Sequence, residues 1–230
     1  ATTGVAGPPR VLTLSSLAGA DGFHIMTTRV ASRGIYPGIG SITTVGDING
    51  DGKAEIVMAS ANAYAPNTYS GLIDILVGRP KTGCATATDC WPIGGTPSQL
   101  DVSGQIGRNF SGTISAPLTG TVKHILMRNT TTNQWFGTAI AIADFNGDGY
   151  NDIVSGNAGT TSYIYGYYGK AAGSWSDTVD IDSAYSFRFD ATTSRPAQIA
   201  ANVFPTFLGA GDLNHDGKPD LLLGTRNSSY

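Results

Sequence analysis

Short apolar runs alternate along this chain with turn-forming clusters of glycine, asparagine and aspartate. Paired runs of this kind predict strands on either side of three polar loops. Small or apolar segments at 40–45, 138–143 and 207–211 lead into the loops. Branched or aliphatic runs leave them: Ile56-Val57-Met58, Ile153-Val154-Ser155 and Leu221-Leu222-Leu223, each read as a buried strand. A third strand is expected at Gly71–Gly78 and again at Ser162–Gly169, where Tyr163, Tyr165, Tyr167 and Tyr168 read as sheet packing. An outer fourth strand is expected before the first and third loops, around Phe23-His24-Ile25 and Phe187-Arg188-Phe189.

The loops themselves repeat. Asp47-Ile48-Asn49-Gly50-Asp51-Gly52-Lys53-Ala54-Glu55 returns as Asp144-Phe145-Asn146-Gly147-Asp148-Gly149-Tyr150-Asn151-Asp152. It returns once more as Asp212-Leu213-Asn214-His215-Asp216-Gly217-Lys218-Pro219-Asp220. Four strands per unit is the content of a propeller blade, so the fold class is all-β, a propeller-like array of four-stranded antiparallel blades. The first aspartates lie 97 residues apart (47 to 144) and then 68 (144 to 212). The excess places an insertion near 81–134. One domain, 1–230, is expected, with units at roughly 8–80, 81–170 and 171–230.

Composition supports many short strands joined by tight turns. Charged residues make up 13%, against about 25% in an average soluble domain, and the 31 glycines supply turns. The long Ala, Leu, Glu and Lys runs of a helical bundle are missing. A formal charge of -3 and the lack of a basic-aromatic cluster argue against nucleic acid. No apolar stretch reaches the ~18 residues of a membrane helix. A chain opening at Ala1 without a signal-like segment is expected of a processed mature form or of an excised piece. In a secreted protein Cys84 and Cys90 read as a local disulfide; two free thiols in a cytosolic loop are the alternative. Asn109, Asn129 and Asn227 open sequons that permit glycosylation without arguing for it, since chance alone gives about two.

The loop spacing suits calcium, a hard cation that takes six to eight oxygens. Side chains at positions 1, 3 and 5 can converge: Asp47, Asn49 and Asp51; Asp144, Asn146 and Asp148; Asp212, Asn214 and Asp216. Glycine at position 6 permits the turn, which aims the position-7 carbonyl of Lys53, Tyr150 or Lys218 inward. Position 9 adds a carboxylate from Glu55, Asp152 or Asp220. An EF-hand is excluded, because its position-12 glutamate and flanking helices are replaced by Met58, Ser155 or Leu223 and by strands. A plain Asn/Asp/Gly turn without an ion is the alternative. It leaves unexplained why nine of the 17 acidic residues crowd into three loops, where like charges repel unless neutralised. In the third loop His215 and Lys218 add positive charge nearby. About three structural Ca²⁺ ions are expected.

These residues resemble the FG-GAP repeats of integrin α-subunit propellers and of many secreted proteins. The loop carries most of the likeness; Phe136-Gly137 resembles the family's Phe-Gly, and Val57 to Ala61 its Gly-Ala-Pro region. Leu14-Ser15-Ser16-Leu17 and Gly22-Phe23-His24-Ile25 resemble the opening of bacterial-type repeats. The resemblance implies a β-propeller with calcium on the loops joining the first two strands of each blade. It also implies closure by an N-terminal strand, here near Arg10 to Leu14. The function it implies is extracellular adhesion or recognition, with a protein or glycan as ligand. The alternative is a structural subunit of a filament or surface layer, self-associating through open blade edges. A polysaccharide-acting enzyme ranks third, because His24, His124 and His215 show no catalytic or metal-ligand spacing and no nucleophile elbow occurs.

Overall fold

The computed structural model describes residues 24–26, 42–63, 67–78, 99–101, 124–159, 162–190 and 203–227. In chain order its first strands are β1 (His24–Met26), β2 (Ile42–Gly46), β3 (Glu55–Ser60), β4 (Leu72–Leu76), β5 (Gln99–Asp101) and β6 (His124–Arg128). There follow β7 (Ala139–Ala143), β8 (Asp152–Gly156), β9 (Tyr163–Tyr167), β10 (Thr178–Asp180), the single helical turn α1 (Ile181–Ala184), β11 (Phe187–Asp190), β12 (Val203–Gly211) and β13 (Asp220–Asn227). The fold is all-β, as its alternation of short apolar runs and turns predicts.

Among the described residues, two four-stranded antiparallel blades and a hairpin carry the three loops. The first blade pairs β2, β3, β4 and β6 in that order. The second pairs β7, β8, β9 and β11. The third repeat contributes the hairpin β12–β13. First strands sit beside one another, β2 against β7 and β7 against β12, which is a propeller-like arrangement. Every residue of β4 and of β8 is buried. Both strands are covered on both faces, and each carries buried polar side chains among its apolar ones: Asp74 in β4, Asp152 and Ser155 in β8.

The cores lie between sheets. Val57, Ala59, Ile73, Ile75 and Ile125 of the first blade pack with Ile140, Ile153, Tyr165 and Tyr167 of the second. On its other face the second blade brings Ala139, Ala141, Val154 and Ile164 against Leu208 of the hairpin, with Leu221 alongside. The segment before β7 is stitched to the first blade by Trp135 N–H to Tyr69 O (2.8 Å) and Phe136 N–H to Ser70 O (3.1 Å). Phe136 is fully buried there, meeting Tyr165 edge to face.

Three strand expectations change. Phe187–Phe189 lies in β11, which pairs with β9 and closes the second blade rather than opening the third. The expected outer strand at Phe23–Ile25 falls on β1, which pairs in parallel with β5, not with the first blade. His124–Arg128, placed in the insertion, is the fourth strand of the first blade. All three follow from one cause: the outer strand of a blade comes after its third strand, and sequence periodicity alone does not say to which sheet a strand belongs. A further strand, β10, adds in parallel to β6 from the connection beyond β9 and ties the blades together. An Arg128 Nε–Asp180 Oδ1 ion pair at 2.6 Å reinforces that seam. Cys84, Cys90, Asn109 and the 10–14 segment lie outside the described residues.

Candidate metal centre

Each loop joins the first two strands of its repeat, and the three share one hydrogen-bond plan. The position-1 carboxylate folds back over the loop's own backbone. Asp47 accepts from the N–H groups of Gly50, Asp51 and Gly52 at 2.7, 3.2 and 2.9 Å. Asp144 accepts from Gly147, Asp148 and Gly149 at 2.7, 3.1 and 2.8 Å. Asp212 accepts from Asp216 and Gly217 at 3.0 and 2.9 Å.

Positions 3 and 5 repeat in step. The amide oxygens of Asn49, Asn146 and Asn214 each accept the position-5 N–H at 2.9 Å. The carboxylates of Asp51, Asp148 and Asp216 each accept the position-7 N–H, of Lys53, Tyr150 and Lys218, at 2.9 Å. Such side-chain-to-backbone bonds are why Asn and Asp favour tight turns. Gly52, Gly149 and Gly217 take φ of 80°, 90° and 84°, a region that a Cβ disfavours. Position 4 is also left-handed, and there His215 adopts φ 60° where the other loops place glycine. The third loop therefore bears backbone strain that the first two avoid.

Position 9 is where the loop meets the sheet. Glu55 and Asp152 are fully buried at the start of β3 and β8. Glu55 accepts from Ile48 N–H (2.8 Å), Asn49 Nδ2 (2.9 Å) and Gly78 N–H (3.1 Å). Asp152 accepts from Phe145 N–H and Gly169 N–H, both at 2.8 Å. Asp220 accepts from Leu213 N–H at 2.9 Å and is half-buried. Burial pushes the Glu55 carboxyl above its ordinary value, and the charges of Asp51 and Asp47 push the same way against the backbone donors. Asp152 is raised by burial first and by Asp148 as well.

Sequence reasoning assigned no role to Gly78 and Gly169, the residues just past the third strands. Their N–H groups bind the position-9 carboxylates, and both sit against the loop backbone. A Cβ at Gly169 would lie 2.4 Å from Asn151 O; one at Gly78, 2.6 Å from Ala54 O. The available signal was a glycine ending the third apolar run in both repeats.

The donor set is entirely hard oxygen, which fits calcium and not a soft metal. Among the described residues, no three Asp, Glu, His or Cys side chains are gathered as a ready cage. The carboxylates are turned toward backbone N–H groups instead. Glu55 Oε2 nevertheless keeps a lone pair beyond its bond from Ile48 N–H. Lys53 Nζ stands 3.2 Å from Asp51 Oδ2 as a partial counter-charge. A cleft of about 520 Å³ lies between the second and third loops, lined in part by Asp144, Asn146, Asp212 and Lys218.

The remaining candidate sites separate. Asn129 is 1% exposed and its Oδ1 accepts Thr131 N–H at 2.8 Å, so its side chain is packed inside the folded chain. Asn227 ends β13. His215 lies in the third loop, and His124 begins β6.

Residues 39–80 match the model of the FG-GAP repeat, and residues 144–223 match that of the FG-GAP-like repeat. The chain is also similar to a phosphatidylinositol-glycan-specific phospholipase D of Dictyostelium discoideum, with 26% identity over 212 residues. That match covers 88% of this chain, which spans 19% of the relative's length.

Proposed function

Because this chain is built of FG-GAP repeats, we propose that its three loops bind calcium as structural ions in an extracellular module for adhesion or recognition. FG-GAP repeats are consistent with such a module, and the calcium is our reading of the loops. One observation carries it: the same acid-rich turn is built three times, with a position-9 carboxylate buried beside further carboxylates in two of them. Buried like charges are costly unless a cation offsets them.

Asp47, Asn49, Asp51 and Glu55 would hold the first ion, with the Lys53 carbonyl. Asp144, Asn146, Asp148, Asp152 and the Tyr150 carbonyl would hold the second. Asp212, Asn214, Asp216, Asp220 and the Lys218 carbonyl would hold the third. The ion supplies charge neutralisation. The chain's own residues do the rest: the position-1 aspartates hold each turn closed, and the position-9 acids fasten it to the third strand through Gly78 and Gly169. Calcium occupancy thereby stiffens the loop-bearing end of each blade, leaving a rigid surface on which a protein or glycan can dock.

Thermal unfolding in Ca²⁺ against EGTA tests this. A ligand at a hundred times its Kd stabilises by about 2.7 kcal/mol per site, so chelation should lower the melting temperature by several degrees. An unchanged transition, with no Ca²⁺ found by elemental analysis of the purified protein, sinks the reading.

A further inference from the structure

Four non-glycine residues among those described adopt a left-handed φ, and three of them lie together: Tyr69 at 52°, Asn133 at 57° and Trp135 at 47°. Tyr69 sits between β3 and β4, the other two between β6 and β7. Ser60, at the far end of β3 from its loop, pairs with Leu72 at the start of β4. The cluster therefore lies at the end of the blades away from the acid-rich loops. Bulky side chains avoid this backbone region, and such strain persists only where the surroundings over-determine it. Here they do. Asn133 N–H donates to Thr68 O and Trp135 N–H to Tyr69 O, both at 2.8 Å, and Ala158 N–H, just past β8, donates to Gln134 O at 3.0 Å. Asn157 Nδ2 holds Gln134 Oε1 at 2.7 Å, and Asn67 Nδ2 donates to Thr130 O. The outcome is a stacked pair of rings, Tyr69 and Trp135, with centroids 6.0 Å apart and planes 28° from parallel. Both are half-buried and not sealed in the core.

The chemistry around the rings is neutral. Residues 67–73 and 129–137 contain no charged side chain. Their exposed members are amides and hydroxyls: Asn67, Thr68, Thr131, Thr132 and Asn133. Asp182 Oδ2 accepts from Thr130 N–H at 3.3 Å while its Oδ1 is buried, so that carboxylate is directed into the chain. One face of a neutral pyranose is a patch of C–H groups that packs on an aromatic ring; its rim is hydroxyls that pair with amides and hydroxyls. We propose that the Tyr69–Trp135 platform binds a neutral oligosaccharide. The strain has a use in such a site, because rings fixed before the ligand arrives lose little freedom on binding. The proposal rests on the reading of the chain as a recognition module and places the ligand away from the calcium loops.

The test is an array of neutral hexose and N-acetylhexosamine oligosaccharides, with sialylated and sulfated glycans and a Pro-rich peptide printed beside them, probed with the full chain in Ca²⁺. Neutral glycans should bind, and saturation-transfer NMR on a bound one should place its C–H protons against aromatic side chains. Tyr69→Ala and Trp135→Ala should each weaken binding by at least about tenfold. Trp135→Gly removes the ring while relieving the backbone, so it should lose binding and still melt cooperatively. Phe189→Ala, at an exposed ring on β11, should bind as the native chain does. An array with no neutral glycan bound overturns the proposal, as does capture of charged glycans alone or of the Pro-rich peptide alone. So does a Trp135→Gly variant that folds and binds undiminished. A blank array beside an EGTA-sensitive melting transition sinks this site and leaves the calcium reading standing.

Discussion

Replacing Gly169 with alanine adds one methyl group where β9 runs past the second loop. Its Cβ would fall 2.4 Å from Asn151 O, 2.7 Å from Tyr150 Cβ and 2.9 Å from Ile48 O. Two of these neighbours are backbone carbonyls, one in the second loop and one in the first, so no side-chain rotation can clear the space. The strand end must move, and overpacking of this kind costs about 1–3 kcal/mol. The same movement draws Gly169 N–H away from buried Asp152 Oδ1, now 2.8 Å distant. A hydrogen bond to a charged acceptor contributes about 1.5–3 kcal/mol. The two effects share one displacement and do not simply add, so roughly 3 kcal/mol is the expected loss. At about 2–4 °C per kcal/mol for a chain of this size, the melting temperature should fall by roughly 6–12 °C. Gly78→Ala repeats the experiment in the first blade, where the methyl meets Ala54 O at 2.6 Å and the N–H serves Glu55. Gly173→Ala is the control, with nothing within 4 Å of the added carbon. Differential scanning calorimetry decides. If Gly169→Ala melts with Gly173→Ala, the third strand is not fastened to the loop as the geometry indicates.

Asp148→Ala should lower calcium stoichiometry by one ion in a calorimetric titration, whereas Asp177→Ala, outside every loop, should leave it unchanged; equal effects contradict the ligand assignment. In EGTA, the raised Glu55 carboxyl makes the folded chain hold its proton more tightly than the unfolded chain does. Its contribution to stability is therefore present below its ordinary value of 4.5 and is lost as pH rises through the raised folded value. The difference in urea midpoint between wild type and Glu55→Gln should accordingly shift against wild type across that rise, and a flat difference refutes it. Secreted expression in a glycosylating host should leave Asn129 bare, so Asn129→Gln should not change the mass of the glycosylated protein.

Much of this protein was legible in the sequence because its chemistry is local. Nine residues suffice to close each loop, and Asp47, Asn49 and Asp51 make their hydrogen bonds to groups within it. Turn preference and hydrogen-bonding capacity travel with the residue type, so the loops and their flanking strands β2–β3, β7–β8 and β12–β13 could be read directly. Sheet membership could not. Phe187-Arg188-Phe189 has the same apolar alternation whichever blade receives it, and only its register with Tyr163 to Gly166 assigns it to the second. The parallel addition of β10 to β6, and the segment at Phe136 stitched to Ser70, likewise join residues far apart in sequence.

Tertiary structure also decided what the same residue type does in different repeats. Val57, Val154 and Leu222 occupy one position of the repeat, yet two are sealed between sheets and the third is half exposed. Asn129 belongs to a sequon by its neighbours and to the core by its packing. Glu55 and Asp152 differ from ordinary carboxylates only because a glycine N–H from a third strand and the surrounding sheet remove them from water. The sequence by itself determined the turns, the strands beside them and the oxygen donors, since these depend on contacts within a few residues. Burial, strand order and the exposure of Leu222 came only from the assembled sheets, because solvent exclusion depends on everything that surrounds a residue, and most of that lies elsewhere in the chain.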